Sequence, residues 1–370
     1  MSRIRTIVLG TGNIANSHAK GFLEQSAHYE VVACVDVDAA RAETFATKHG
    51  IPRFATDFTQ ALAEHRPDFV DICTPPQFHA ALSIQAMEAG CDVLCEKPIC
   101  GSLAELEKVQ AVEKRTGKFC ASVFQFRYAT STRHVHDLLQ QGRLGRPLVA
   151  TCNTLWFRDA NYYEVAWRGK WSNELGGPTL GHGIHAMDQL LSILGPWTEV
   201  SAFAATLDRK IEVEDVSVAL IRFANGALAT VINSILSPRE ETFLRIDCQA
   251  ATVELTHHYS FTRKEWSLTP KGPMWKPLPR LPAEQLTDPA LVFPTPDRPA
   301  THGTQLAHLA DNIRQRTTPL SAGKAVWATM ELIVSIYKSA YTKRTVEAGS
   351  IRPGDPYYEQ INGGHAKAPV

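Results

Sequence analysis

Short apolar runs separated by amphipathic segments fill the first third of the chain. Ile4–Leu9, 30–36, Phe69–Ile72, Asp92–Cys95 and 119–124 are the length of buried strands. Residues 53–54 read as a further short strand. Between these runs, residues 14–25, 38–49, 57–65, 77–89 and 102–116 read as helices. Such alternation predicts a mostly parallel sheet with both faces covered and right-handed crossovers. Ligands of such sheets sit beyond the carboxyl ends of the strands. That rule selects the loops worth inspecting.

The pattern changes after a connecting helix over 130–142, which Gly142 and Gly145 end. Longer strands follow at 148–157, 199–207, 214–223, 228–236, 243–247 and 252–261. Asn225-Gly226 between two of them is a hairpin signal. These strands predict a large, largely antiparallel open sheet in a second, α+β domain. Residues 182–194 read as a helix closed by Gly195-Pro196, and 303–316 and 322–343 as two late helices. Nine of the 22 prolines fall in 270–299, which rules out a regular helix or central strand there. That segment is either an arm, over the active site or across a subunit boundary, or a long surface loop. The expected organisation is α/β: a dinucleotide-binding domain over 1–125, a substrate and oligomerisation domain over 126–348, and an extended tail over 349–370.

Composition narrows the function classes. A chain of 370 residues with 44% hydrophobic and 21% charged residues is an ordinary globular protein of two domains. Its formal net charge of zero gives no footprint for nucleic acid or a membrane surface. No apolar run approaches the ~18–20 residues of a membrane span, and the short N-terminal run ends in a glycine turn rather than a cleavage site. None of the 8 cysteines forms a C-x-x-C pair. They read as small core residues in a reducing cytoplasm.

The first strand runs into Gly10-Thr11-Gly12-Asn13-Ile14-Ala15, the G-x-G-x-x-A spacing of a dinucleotide fingerprint. Gly10 makes the tight turn, Gly12 admits a pyrophosphate, and Ala15 lets the helix pack close. The helix N-terminus, at Asn13 and Ile14, favours phosphate. Asp36 ends the second strand, a little over the expected ~20 residues on, where an acid accepts the adenosine ribose hydroxyls and repels an added phosphate. The cofactor expected is therefore NAD. Three further loops follow strand ends: Thr74-Pro75-Pro76-Gln77-Phe78-His79, Glu96-Lys97-Pro98 and Gln125-Phe126-Arg127-Tyr128. The two prolines suit a wall against a flat ring. A lysine beside a nicotinamide cation has its pKa pushed down by like charge and can move a proton. The second domain offers Trp167-Arg168 and a glycine-rich run leading to His182, His185 and Asp188. Their spacing of three puts them on one helix face, suited to acid–base work at neutral pH. Two histidines without a clear further ligand do not make a metal site, and none is expected.

Together Gly10 to Ala15, Asp36, Thr74-Pro75 with His79, Glu96-Lys97-Pro98 and Gly183-x-His185-x-x-Asp188 resemble the Gfo/Idh/MocA family of oxidoreductases, which includes inositol and sugar dehydrogenases. The resemblance extends over most of the chain. It implies an N-terminal Rossmann domain and a C-terminal domain whose open sheet makes homodimers or homotetramers. It implies oxidation of a carbohydrate or cyclitol hydroxyl, with Lys97 and His185 managing the proton. NAD contacts are then expected from Gly10, Gly12, Asn13, Ile14, Asp36, Thr74, Pro75, His79, Glu96, Lys97 and Gln125. Substrate contacts are expected from Tyr128, Trp167, Arg168, His182 and His185. The chain departs from the family at Gly181, where many members carry an aspartate four residues before the histidine. Either His182 or Asp188 replaces that acid, or the substrate differs. A redox-neutral lyase or glycosidase that uses NAD transiently is the alternative. A non-catalytic NAD-binding sensor is the third reading, which the retention of Lys97 and His185 opposes.

Overall fold

A computed structural model describes residues 2–276 and 278–369. The chain divides into two compact units, residues 1–125 with 301–327, and residues 126–300 with 328–370. The first unit begins with β1 (Ile4–Leu9), α1 (Ala15–Glu24), β2 (Tyr29–Val35), α2 (Ala39–His49), β3 (Phe54–Ala55) and α3 (Phe58–His65). It continues with β4 (Phe69–Ile72), α4 (His79–Glu88), β5 (Asp92–Cys95), α5 (Leu103–Thr116) and β6 (Cys120–Ser122). All the strand pairs are parallel, in the order β3-β2-β1-β4-β5-β6. This is the Rossmann order, with its switch point between β1 and β4. Both faces are covered, so β4 and β5 are buried at every position. Helices α2, α3 and α5 start one residue later than the apolar pattern suggests. Asp38, Asp57 and Ser102 serve instead as N-caps, each accepting a backbone N–H three residues on.

The second unit opens with α6 (Thr130–Gln140) and β7 (Pro147–Phe157). After α7 (Pro178–Gly181) and α8 (Ile184–Leu194) come β8 (Trp197–Ala205), β9 (Val216–Phe223), β10 (Leu228–Ser234), β11 (Leu236–Cys248), β12 (Ala251–His257) and β13 (Trp266–Pro270). The chain then forms α9 (His302–Gln315), α10 (Lys324–Thr342), β14 (Val346–Glu347) and α11 (Pro356–Glu359). The sheet of eight strands runs β13-β12-β11-β7-β10-β9-β8-β14. Every pair in it is antiparallel except β7 with β10. The expected hairpin joins β9 to β10, with Gly226 at φ 89. One face is buried. The other carries Val149, Phe203, Val218, Leu220 and Leu228, all substantially exposed and in matching register.

Two parts of the chain lie elsewhere than their sequence order suggests. Residues 301–327, expected in the second domain, complete the first unit. The Tyr29 hydroxyl donates to the Leu306 carbonyl, and Gln305 Nε2 donates to the Ser122 carbonyl. Leu306, Leu309, Ala310 and Ala322 belong to the same core as Val8, Phe22 and Phe69. The tail expected to be extended contains α11 and buries Ile351, Tyr357, Tyr358 and Ile361. Its backbone is pinned by an Asp355 cap on the Tyr357 N–H.

The proline-rich segment is laid back on its own unit. Leu268 N–H donates to the Leu281 carbonyl, Arg298 N–H donates to Thr130 Oγ1, and Phe293 is buried 4.8 Å from the His134 ring. Met274 and Trp275 stand out from it, 80% and 91% exposed.

Candidate functional site

In the first unit the singled-out residues gather at the carboxyl ends of β1, β2, β4 and β5. Gly10 lies at φ 90, and a Cβ there would sit 2.8 Å from the Cys73 carbonyl carbon. Only glycine satisfies both constraints. A Cβ on Gly12 would meet no atom within 4 Å, so the loop is open where a pyrophosphate would approach. No side chain caps α1, leaving its first turn to an anion. Asp36 Oδ2 accepts both the N–H and the hydroxyl of Thr11, each at 2.9 Å. The acid therefore braces the fingerprint loop itself. At the end of β4, Thr74 Oγ1 is buried and has no hydrogen-bond partner among the described residues. An orphaned hydroxyl there fits a polar ligand group. Pro75 leads into the 3₁₀ turn Pro76–Phe78. These features fit a dinucleotide.

His79 is placed differently from a ligand contact. It is buried, with Nδ1 2.6 Å from the Pro98 carbonyl and Nε2 2.7 Å from the Thr74 carbonyl. Its nitrogens are committed to tying the two loops together. Glu96 is buried too, whereas Lys97 is only partly so. Glu96 Oε2 accepts the Lys97 N–H at 3.0 Å, and Oε1 lies 3.0 Å from His18 Nε2. Burial would raise the Glu96 carboxyl, but His18, His302 and the Lys97 charge hold it well below the usual range. Gln125, at the end of this unit, is fully buried.

In the second unit His185 and Asp188 both lie on α8, but His182 does not. It lies between α7 and α8, so the helix expected from 182 begins at Ile184 instead, and a separate short helix precedes it. Asp188 is no spare acid. Its carboxylate receives Arg127 Nε at 2.7 Å and Nη2 at 2.8 Å, with the Thr329 hydroxyl at 2.9 Å. Burial raises its pKa, although Arg127 and Thr329 oppose the shift. The acid expected at position 181 is replaced by open space: a Cβ on Gly181 would touch nothing within 4 Å.

Around the histidines runs a surface of rings. The His185 ring lies 5.3 Å from Phe126 and 5.8 Å from Tyr259. Tyr259 and His182 lie 6.1 and 5.1 Å from Trp156, and Tyr162 lies 6.3 Å from His182. The Arg168 guanidinium lies 3.7 Å from the Tyr162 ring and 4.4 Å from Trp167. The unit thus brings Trp167, Arg168, His182 and His185 onto one chain of rings. Tyr128 is 1% exposed, a packing position. Trp156, Tyr162, Tyr259 and His257 were not singled out from the sequence. His257 touches Phe126 and Phe261, has no hydrogen-bond partner for either ring nitrogen among the described residues, and is depressed to about 3 by burial and by His258. Their sole sequence signal is aromatic and histidine content at strand ends, which core packing also produces.

Residues 4–124 match the family model described as the oxidoreductase family, NAD-binding Rossmann fold, and residues 132–254 match the GFO/IDH/MocA C-terminal domain. The D-glucoside 3-dehydrogenase of Escherichia coli is 28% identical over 284 residues, 70% of this chain and 79% of that protein. The D-apiose dehydrogenase of Paraburkholderia graminis is 24% identical over 98% of this chain and 95% of its own. The WlbA dehydrogenase of Chromobacterium violaceum, solved with NADH and UDP-GlcNAcA, superposes with a TM-score of 0.81 at 25% identity, covering 95% of this chain and 97% of its own. The fingerprint, its open Gly12 and the two matching domains fit NAD as the cofactor. The chain belongs to the Gfo/Idh/MocA family of NAD-binding, Rossmann-fold oxidoreductases.

Proposed function

We propose that the protein is an NAD-dependent dehydrogenase acting on a CH–OH group of a sugar, sugar derivative or cyclitol. The observation that carries this reading is the ring-lined surface of the second unit, with His185, His182 and the stacked Arg168 along it. Aromatic faces suit the C–H faces of a sugar ring, and the cation and imidazoles suit its hydroxyls. Each buried hydroxyl left unpaired would cost ~1–3 kcal/mol. Similarity to D-glucoside 3-dehydrogenase, D-apiose dehydrogenase and scyllo-inositol 2-dehydrogenase supports the substrate class.

Bound NAD supplies the hydride acceptor. Gly10, Gly12, Asn13, Ile14, Asp36, Thr74, Pro75 and Gln125 form its cradle, with His79 and Glu96 fixing the loops. The Asp36 carboxylate selects against NADP. Lys97 donates a hydrogen bond to the reacting oxygen, and neutral His185 takes its proton. Trp167, Arg168 and His182 shape the substrate pocket, and Tyr128 packs the unit that carries them.

The test is nicotinamide reduction with NAD and NADP in parallel, against glucosides, D-apiose, inositols, uronates, amino sugars and disaccharides. A rate with NAD on one group is expected. Lys97→Ala and His185→Ala should each lower kcat/KM by about 10²–10⁴-fold on that substrate. Intact turnover in either variant would remove that residue from the mechanism. The space at Gly181 favours a second reading, in which NAD is used transiently without net redox change. Silence across the panel, with NAD retained and unconsumed, would select it.

The exposed apolar face of the eight-stranded sheet supports a homodimer or homotetramer. All eight cysteines are free, in keeping with a reducing cytoplasm. Among the described residues no helix is long and apolar enough to cross a membrane.

A further inference from the structure

Beneath the fingerprint, the first unit buries a cluster of ionisable groups that the proposed chemistry does not use. His18 lies on α1, Asp71 on β4, Glu96 after β5 and His302 at the start of α9. His18 Nδ1 is 2.9 Å from both Asp71 carboxylate oxygens, and Nε2 is 3.0 Å from Glu96 Oε1. The ring is fully buried. An ionised carboxylate only accepts a hydrogen bond, so a ring held between two ionised carboxylates carries a proton on each nitrogen. Neither nitrogen then has a lone pair for a metal, although His18, Glu96 and His302 lie close enough to suggest one. The other neighbours agree with a charged ring. Cys73 is pushed up to about 12 by burial and by Asp71, and the His18 charge is what opposes that rise. His302, with its ring centroid 4.4 Å from that of His18, is held below the usual imidazole range by burial and by the His18 charge.

The second Glu96 oxygen receives the Lys97 N–H. One carboxylate thus joins the helix that follows the fingerprint to the backbone of Lys97. On the other side of the same loop, His79 fixes the Pro98 carbonyl. We propose that Glu96 is the positioning residue for Lys97, and that a doubly protonated His18, itself held by Asp71, keeps Glu96 in place. A lysine that must meet a substrate oxygen needs its backbone fixed, since small displacements at a reacting centre cost large factors in rate. The inference rests on the reading of Lys97 as a catalytic residue.

The experiment compares the full-length protein with Glu96→Ala, Glu96→Gln and Lys97→Ala, using NADH as the binding probe and the fastest substrate of the panel for turnover. Ring ¹⁵N resonances of His18, assigned with His18→Gln, give a readout independent of activity. Two ring N–H protons are expected in the unaltered protein at about pH 8, far above an ordinary imidazole pKa. Glu96→Ala should lower kcat at least tenfold, with substrate KM and NADH Kd within about threefold of the unaltered protein. Glu96→Gln should recover most of kcat, because its amide oxygen still accepts the Lys97 N–H. Its amide N–H₂ would then turn His18 Nε2 into an acceptor and leave the ring neutral.

A neutral His18 in the unaltered protein would overturn the proposal. So would full kcat in Glu96→Ala while Lys97→Ala is inactive. A loss in Glu96→Ala that lies wholly in KM or in NADH binding also counts against it. Full turnover by Lys97→Ala would instead bring down the catalytic reading itself. If Glu96→Ala fails to fold, the His18 resonances and Glu96→Gln decide.

Discussion

The two fingerprint glycines do different jobs, and substitution separates them. Gly10 is fixed by its own fold, with positive φ and the Cys73 backbone 2.8 Å from any Cβ. Gly10→Ala should cost about 1–3 kcal/mol from backbone strain alone, read as a lowered Tm. Gly12 has no neighbour to offend. Gly12→Ala should melt like the unaltered protein yet bind NADH at least tenfold more weakly, checked by fluorescence titration. Gly181 also has room, so Gly181→Asp should fold. A carboxylate four residues before His185 should move the histidine limb of the pH–rate profile upward, because a nearby negative charge favours imidazolium. An unmoved limb would show that position 181 does not face the histidine. At this scale the sequence is most legible where a turn demands fixed spacing, as at Gly10 and Gly12. It was least informative for Trp156 and Tyr259, whose types and positions are those of ordinary core residues. The Arg127–Asp188 fork joins residues 61 apart, and no local pattern announces it.

Element boundaries were legible to within a residue or two wherever a cap or glycine sets them. The short β14 and α11 were missed because tertiary packing, rather than periodicity, makes them. The start of α8 falls two residues after the expected His182, where no side-chain cap marks the boundary. The start of α7 is held by Glu214, whose carboxyl receives the Gly177 and Thr179 N–H groups and the Tyr337 hydroxyl. Burial nonetheless pushes Glu214 up to about 7, and Glu113 likewise. A carboxyl raised in the fold binds its proton more tightly there than in the unfolded chain. Stability is therefore lost as pH rises from the unfolded value near 4.5 through about 7. Glu214→Gln should gain in Tm relative to the unaltered protein between about pH 5 and about pH 8. A constant difference would mean Glu214 does not titrate in that range. In α8, Asp188→Asn should cost ~3–5 kcal/mol by leaving Arg127 buried beside a neutral group.

For the molecule as a whole, the parallel-then-antiparallel architecture follows from the changing length and spacing of the apolar runs. The assignment of residues 301–327 to the first unit does not, because α9 is an amphipathic helix that any apolar surface could receive. The exposed face of the second sheet makes a prediction at this level. Phe203, 78% exposed, sits opposite Val218, which in turn sits opposite Ile232. Phe203→Glu with Leu220→Glu should reduce the mass in solution, measured by light scattering, without changing Tm by more than a few degrees. An unchanged mass would place any assembly elsewhere.

The return of α9 to the first unit has a consequence for biosynthesis. When residue 125 leaves the ribosome, the nascent Rossmann unit still lacks Leu306, Leu309, Ala310 and Ala322. The partners of those side chains, among them Phe22 and Tyr29, stay uncovered while the whole of residues 126–300 is translated. Domains usually mature in the order of their synthesis. Here the first to be made cannot be the first to be finished, and its open flank is a natural target for a chaperone.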